Sequence, residues 1–281
     1  MVGIFGVTLL SNGNYVVSSS YWTNSGQKYA GAVTWCSGTA GCSGLVSAAN
    51  SLVGTHQGDK VGSDYIDGIA ALSNGGYVVR SKFWANGGAI DAGAVTWCGT
   101  AGCSGPVSAA NSLVGTAAED MVGERTINVV STGDYVVTNS LWANGSAAKA
   151  GAVTWCSGTA GCTGPVTTTN SLVGTTADDE VGVNGIYPLG NAYYFIPSPF
   201  WVNNGLADAG AITLREGNTP VGPVTAENSF VGIHEYASSQ QRWLYSLANR
   251  VLVLSSPADS KVRIYHIPFP YHTYLPLAVQ P

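Results

Sequence analysis

Charge is the scarcest commodity in this chain. Only 10% of its 281 residues are Asp, Glu, Lys or Arg, against about 25% in an ordinary globular domain. The 11 Lys and Arg residues form no cluster and the formal net charge is −5. That excludes the basic patch through which a protein holds nucleic acid or an anionic membrane. No run of about 18 apolar residues occurs, so membrane insertion by a helix is not expected. Stretches of Leu, Glu, Lys and Ala long enough to build helices are missing too. The four histidines, His56, His234, His266 and His272, fit no spacing of the H-E-x-x-H kind, and there is no G-x-S-x-G nucleophile turn. These absences lead to the expectation of a chain that is not an enzyme, has no catalytic residues, and uses neither metal nor cofactor.

What is present is glycine, 37 residues of it, with many Ser, Thr and Asn, the composition of strands joined by tight turns. It is also repeated. "GAVTWCSGTAGCSGLVSAANSLVGT" at 31–55 returns almost unchanged at 93–116 and 151–175, and more faintly as "GAITLREGNTPVGPVTAENSFVG" at 210–232. The dipeptide Val-Gly recurs at Val2, Val61, Val122 and Val181, about 60 residues apart each time. Such a period marks an array of equivalent units.

Each unit reads as four short strands. In the first, "GVTLLS" (6–11) and "NYVVSSS" (14–20) flank Asn12-Gly13, a strong hairpin signal. "GAVTWC" (31–36) and "LVSAANSLVG" (45–54) follow. The tail repeats the pattern weakly: "WLYSLANRVLVLSSP" (243–257) as the hairpin, "KVRIYHI" (261–267) as the third strand, and "HTYLPLAV" (272–279) as a fourth that Pro276 confines to an edge. The opening "MVGIFGVTLL" has no basic start and lies in phase with the repeat, so it is expected to be part of the fold. A lone four-stranded sheet leaves both faces wet, and packing copies around an axis buries them. The expectation is a single all-β domain over 1–281, a β-propeller of five four-stranded blades near 1–60, 61–121, 122–180, 181–240 and 241–281. A β-solenoid is the alternative.

The six cysteines fall in pairs within single turns: Cys36 with Cys42, Cys98 with Cys103, Cys156 with Cys162. Metal sites prefer a tighter C-x₂₋₄-C pair and two further ligands, whereas these turns offer only Ser, Gly, Thr and Ala. A local disulfide clamping each turn fits better, stabilising by about 2 kcal/mol on a chain-entropy argument. It also implies an oxidising compartment, hence an extracellular or cell-surface protein. The fourth copy has Arg215 and Gly222 in that region and no pair, so the clamp reinforces the unit without being required for it.

Two sets of tryptophans recur. Trp35, Trp97 and Trp155 lie in the "AVTW" strands, where Leu214 stands in the fourth copy, and are expected to pack in the core. Trp22, Trp84, Trp142 and Trp201 each precede an asparagine by two residues, Asn24, Asn86, Asn144 and Asn203. An aromatic face beside an amide can stack a sugar ring and bond its hydroxyls, so these eight residues are the candidate ligand-binding set. The competing role is structural, with Trp covering the groove between units and Asn closing its own loop. The Asp-x-Val-Gly aspartates, Asp59, Asp120 and Asp179, are expected to accept bonds from turn amides.

The order Asp-x-Val-Gly, hairpin, S-x-x-W-x-N-G, then A-G-A-V-T-W resembles the integrin-type FG-GAP propeller repeat. The matching blocks are Asp59 to Gly62, Asp120 to Gly123 and Asp179 to Gly182, with Ala30–Trp35, Ala92–Trp97 and Ala150–Trp155. The chain is also similar to repeats of long secreted surface proteins of environmental bacteria. The likeness implies a propeller, but not the calcium of that family: the turns "SNGN", "SNGG" and "STGD" hold at most one carboxylate, and Ca²⁺ takes six to eight oxygens. The functional expectation is a secreted binding or adhesion module for a glycan or protein surface. The alternatives are a structural subunit of a surface layer, sheath or filament, associating with copies of itself, and a hydrolase with one unrepeated site in the propeller channel.

Overall fold

The computed structural model of the chain describes residues 2–4, 6–62, 68–130, 133–219 and 221–268. Apart from two single 3₁₀ turns, Ala237–Gln240 and Pro257–Asp259, the regular elements of this part are strands, and they form five sheets in chain order. The first sheet holds Val7–Leu9, Tyr15–Ser18, Ala32–Cys36 and Ser51–Val53 as an antiparallel meander. The second repeats it with Ile69–Ala71, Tyr77–Ser81, Ala94–Cys98 and Ser112–Val114. Asn128–Val129, Tyr135–Asn139, Ala152–Cys156 and Ser171–Val173 make the third. Tyr187–Gly190, Tyr193–Ser198, Ala211–Glu216 and Phe230–Val231 make the fourth. The fifth has three strands among the described residues, Arg242–Ser246, Val251–Ser256 and Lys261–His266. The strand expected at 272–279 lies outside the described residues.

The stretch expected as one fourth strand, such as 45–54, divides in two. Its second half, Ser-Leu-Val, stays in its own sheet. In later repeats the first half crosses to the preceding sheet: Gly105–Pro106, Gly164–Pro165 and Gly222–Pro223 pair in parallel with Leu52 and Val53, Leu113 and Val114, and Leu172 and Val173. Asparagine causes the break. Asn111 accepts from the Ser108 amide at 2.9 Å and donates to the Pro106 carbonyl at 2.9 Å, offering the backbone a turn in place of a ladder.

Side chains alternate across each sheet with the period of two that a pleat imposes. In the second sheet Tyr77 and Val79 pack toward the first, whereas Val78, Val95 and Leu113 pack toward the third. Apolar clusters of this kind join the first sheet to the second, second to third, third to fourth, and fourth to fifth. Among the described residues none joins the first to the fifth. The abundant hydroxyls are used internally: Thr34 bonds Ser51, Thr96 bonds Ser112, Thr154 bonds Ser171 and Thr213 bonds Ser229, all buried and at 2.6–2.7 Å. Glycine is obligatory at the start of the third strand. Gly93 has φ of 78°, and a Cβ there would fall 2.2 Å from the Val122 amide nitrogen.

All three turn disulfides are formed, Cys36–Cys42, Cys98–Cys103 and Cys156–Cys162. In the fourth repeat Arg215 takes the place of the strand cysteine. Its guanidinium donates to the Asn218 carbonyl at 2.5 Å across the turn and to Val153 of the preceding sheet at 2.9 Å, and it lies over the Tyr194 ring. A hydrogen-bonded clamp thus stands where a covalent one does elsewhere. Replacing Cys98 and Cys103 together by serine is therefore expected to lower stability by about 2 kcal/mol and leave the sheets intact. Denaturant midpoints with circular dichroism check this, and loss of cooperative unfolding in the variant would overturn it.

Candidate functional site

The Trp-x-Asn loops leave the second strand and return through a two-residue turn, closed in the second repeat by reciprocal bonds between Asn86 and Ala89. Their indoles turn inward. Trp84, Trp142 and Trp201 are only 4%, 5% and 5% exposed, each packed with side chains of the preceding sheet. Trp84 lies with Leu10, Val16 and Val33, Trp142 with Leu72, Val78 and Val95, and Trp201 with Val130, Val136 and Val153. Trp22 is half-buried, because among the described residues no sheet packs against that side of its own. The sugar-stacking face expected of these tryptophans is not offered by Trp84, Trp142 or Trp201: the loop seals one sheet against the next.

The asparagines are engaged as well. Asn24, Asn86, Asn144 and Asn203 each donate through Nδ2 to the carbonyl of the glycine that ends the fourth strand, Gly54, Gly115, Gly174 and Gly232, at 2.7–2.9 Å. The structural role of the set accounts for both the aromatic and the amide.

The aspartates accept turn amides and do something more. Asp120 takes the amides of Thr116 and Ala117 on one oxygen and, on the other, the Ala143 amide of the next repeat's Trp-x-Asn loop at 2.9 Å. Asp59 reaches Ala85 and Asp179 reaches Val202 in the same way. Burial pushes the Asp179 carboxyl above its ordinary range, opposed by the amides of Thr176, Val202 and Thr175. In the fourth repeat Ala237 replaces this aspartate, and the fifth repeat lacks the loop it would hold. There Asp259 approaches from the opposite side, accepting from the Ile233 amide at 3.1 Å and meeting His234 Nδ1 at 2.7 Å. Burial alone would raise the Asp259 carboxyl, but bonds from Ser256, His234 and Ile233, with the charge of Lys261, hold it below the usual range. This forward reach from repeat to repeat was hidden in the sequence, where Asp59 and Ala85 stand 26 positions apart.

The other tryptophans also cross the junctions. Trp35 lies against the clamped turn of the second repeat, so close that a Cβ on Gly102 would fall 2.6 Å from its own Cβ, and Trp97 lies likewise against Gly161. Trp97 Nε1 donates to the Gly158 carbonyl at 3.0 Å. Both remain half-buried.

An open groove of about 390 Å³ runs between the third and fourth repeats, along the outer side of the Trp201–Gly205 loop. Thr175, Thr176, Asn204 and Thr225 supply its polar lining, Pro223 and Ala226 its apolar side. Thr175, Thr176 and Asn204 are exposed. Among the described residues no three His, Cys, Asp or Glu side chains converge as metal ligands, and no helix is long and apolar enough to cross a membrane.

A family described as a repeat of unknown function (DUF5650) matches the chain four times, over residues 9–63, 71–124, 129–183 and 188–241. The chain belongs to this family. Each DUF5650 match opens at or near the first strand and, in the first three repeats, closes just past Val-Gly, so one DUF5650 unit includes both the clamped turn and the aspartate that grips its successor. The fifth sheet begins where the fourth match ends. No curated protein matches the chain.

Proposed function

We propose that this array of DUF5650 repeats is a non-enzymatic extracellular binding or adhesion module that engages a hydroxyl-rich ligand, glycan in the first instance, at grooves between consecutive repeats. The groove beside Trp201–Gly205 carries the reading. Its exposed groups are neutral hydroxyls and a side-chain amide, with a proline and an alanine beside them, the combination that can bond sugar hydroxyls while lying against a sugar's C–H face. The Trp-x-Asn motif builds one wall of the groove and does not itself offer a stacking face. Intramolecular disulfides support placing the protein in an oxidising, extracellular setting. A shallow neutral site binds weakly, and repetition can raise avidity by about 10²–10⁴. Closure of the sheets into a five-bladed propeller is a finer reading of the fold, which ligand binding does not require.

The experiment is a glycan array probed with the clustered wild-type chain and with Thr175→Arg, which fills the groove from an exposed position. Retention of the wild type on a subset of neutral glycans is expected, with at least tenfold weaker retention and an unchanged melting temperature for the variant. A wild-type chain retained by no glycan, or a variant retained equally well, overturns the proposal.

A further inference from the structure

One face of the first sheet, the face that in later repeats packs on the sheet before it, is covered by no other sheet among the described residues. In the second sheet, Tyr77 and Val79 face the first sheet and are fully buried. The first sheet presents the same face, with Val7 opposite Val17 and Leu9 opposite Tyr15, yet Tyr15 and Val17 are only half-buried and Val7, whose counterpart Ile69 packs into the junction, is 58% exposed. A second sign is independent of the first. In the next three repeats a Gly-Pro strand crosses to the preceding sheet, and the following valine amide donates to Val53, Val114 or Val173. The corresponding Gly44 to Val46 belongs to no strand, and Val46 is half-buried where Val107, Val166 and Val224 are sealed. Trp22, half-buried where Trp84, Trp142 and Trp201 are sealed, is a third.

The opposite end carries the complementary face. In the fifth sheet Leu244, Val253 and Ile264 lie in register across the three strands, on the side turned away from the fourth sheet, whose contact is made by Leu252 and Leu254. Leu244 is 70% and Ile264 58% exposed. The equivalent side of the first four sheets, for example Val16 and Val33, is buried beneath the next repeat.

We infer that the first sheet of one molecule docks on the fifth sheet of a second copy of this chain, continuing across a molecular boundary the packing that recurs four times within it. A second copy is favoured because the two uncovered faces are the two halves of that one internal interface. Contact of this kind is head-to-tail, so it propagates and does not stop at a pair. It stands apart from the groove reading, and its test contains no glycan.

Sedimentation velocity of the wild-type chain over rising concentration is expected to show a mass that keeps increasing past the dimer. Val7→Glu blocks one face and Ile264→Glu the other, so each variant alone is expected to stay monomeric, associating at least tenfold more weakly. Mixed in equal amounts they are expected to form a one-to-one dimer and nothing larger, because one intact face of each kind remains. Thermal melts confirm that both fold, since each residue is exposed in the single chain. A wild-type chain that stays at the mass of one molecule throughout, as a ring closed on itself would, overturns the inference. So does a single variant that still associates, whether by a symmetric face or by a surface other than these two.

Discussion

Trp142→Ala is expected to destabilise the chain by about 3–5 kcal/mol, the usual cost of emptying a large aromatic site in a core. The indole fills the space between the second and third sheets, packed with Leu72, Val78, Val95 and Leu113. Trp22→Ala should cost much less, because Trp22 is half-buried and no sheet among the described residues covers it. The contrast between two equivalent positions is the informative quantity. Urea midpoints of the two variants measure it, and a Trp142→Ala chain within about 1 kcal/mol of wild type would return the indole to the surface and to ligand binding.

Asp120→Ala is expected to cost a comparable amount, about 3–5 kcal/mol, for a different reason. Three half-buried backbone amides, of Thr116, Ala117 and Ala143, lose their charged acceptor at once, and a hydrogen bond to a charged group contributes about 1.5–3 kcal/mol, least at exposed Thr116, which water can reach. Asp120→Asn separates the local from the long-range part. Its carbonyl oxygen can still serve the two turn amides, whereas its NH₂ group has no lone pair for Ala143. Hydrogen exchange should then accelerate at the Ala143 loop while the Thr116 turn stays protected. Equal acceleration at both would show that the carboxylate holds only its own turn.

The strands were legible because alternation, β-branched residues and Asn-Gly turns are local signals, and so were the cysteine pairs and the turn role of Asp59, Asp120 and Asp179. The crossing strand was not. Gly105–Pro106 is two residues long, and its partner belongs to a repeat about 50 positions earlier, so neither periodicity nor propensity marks it. The Trp-x-Asn loops misled for a related reason. A tryptophan next to an amide has the same composition whether it faces solvent or the preceding sheet, and only the neighbour decides. The ring expected from blade counting is likewise a property of how the first and fifth sheets relate, on which the repeat itself is silent.

The forward grip of each aspartate has one more consequence. In the first three repeats the turn that ends one repeat also holds the loop of the following one, so a repeat is finished by whatever comes after it. Any successor with the same loop will serve. A whole unit excised from the middle, or an extra one spliced in, leaves every carboxylate facing an amide and every indole facing a valine sheet. An insertion of another size must be absorbed within a surface turn, as the shorter Cys98–Cys103 turn is, or it sets these partners out of phase. Beyond such turn-length adjustments, length in this architecture is quantised: it changes by complete periods of about 60 residues.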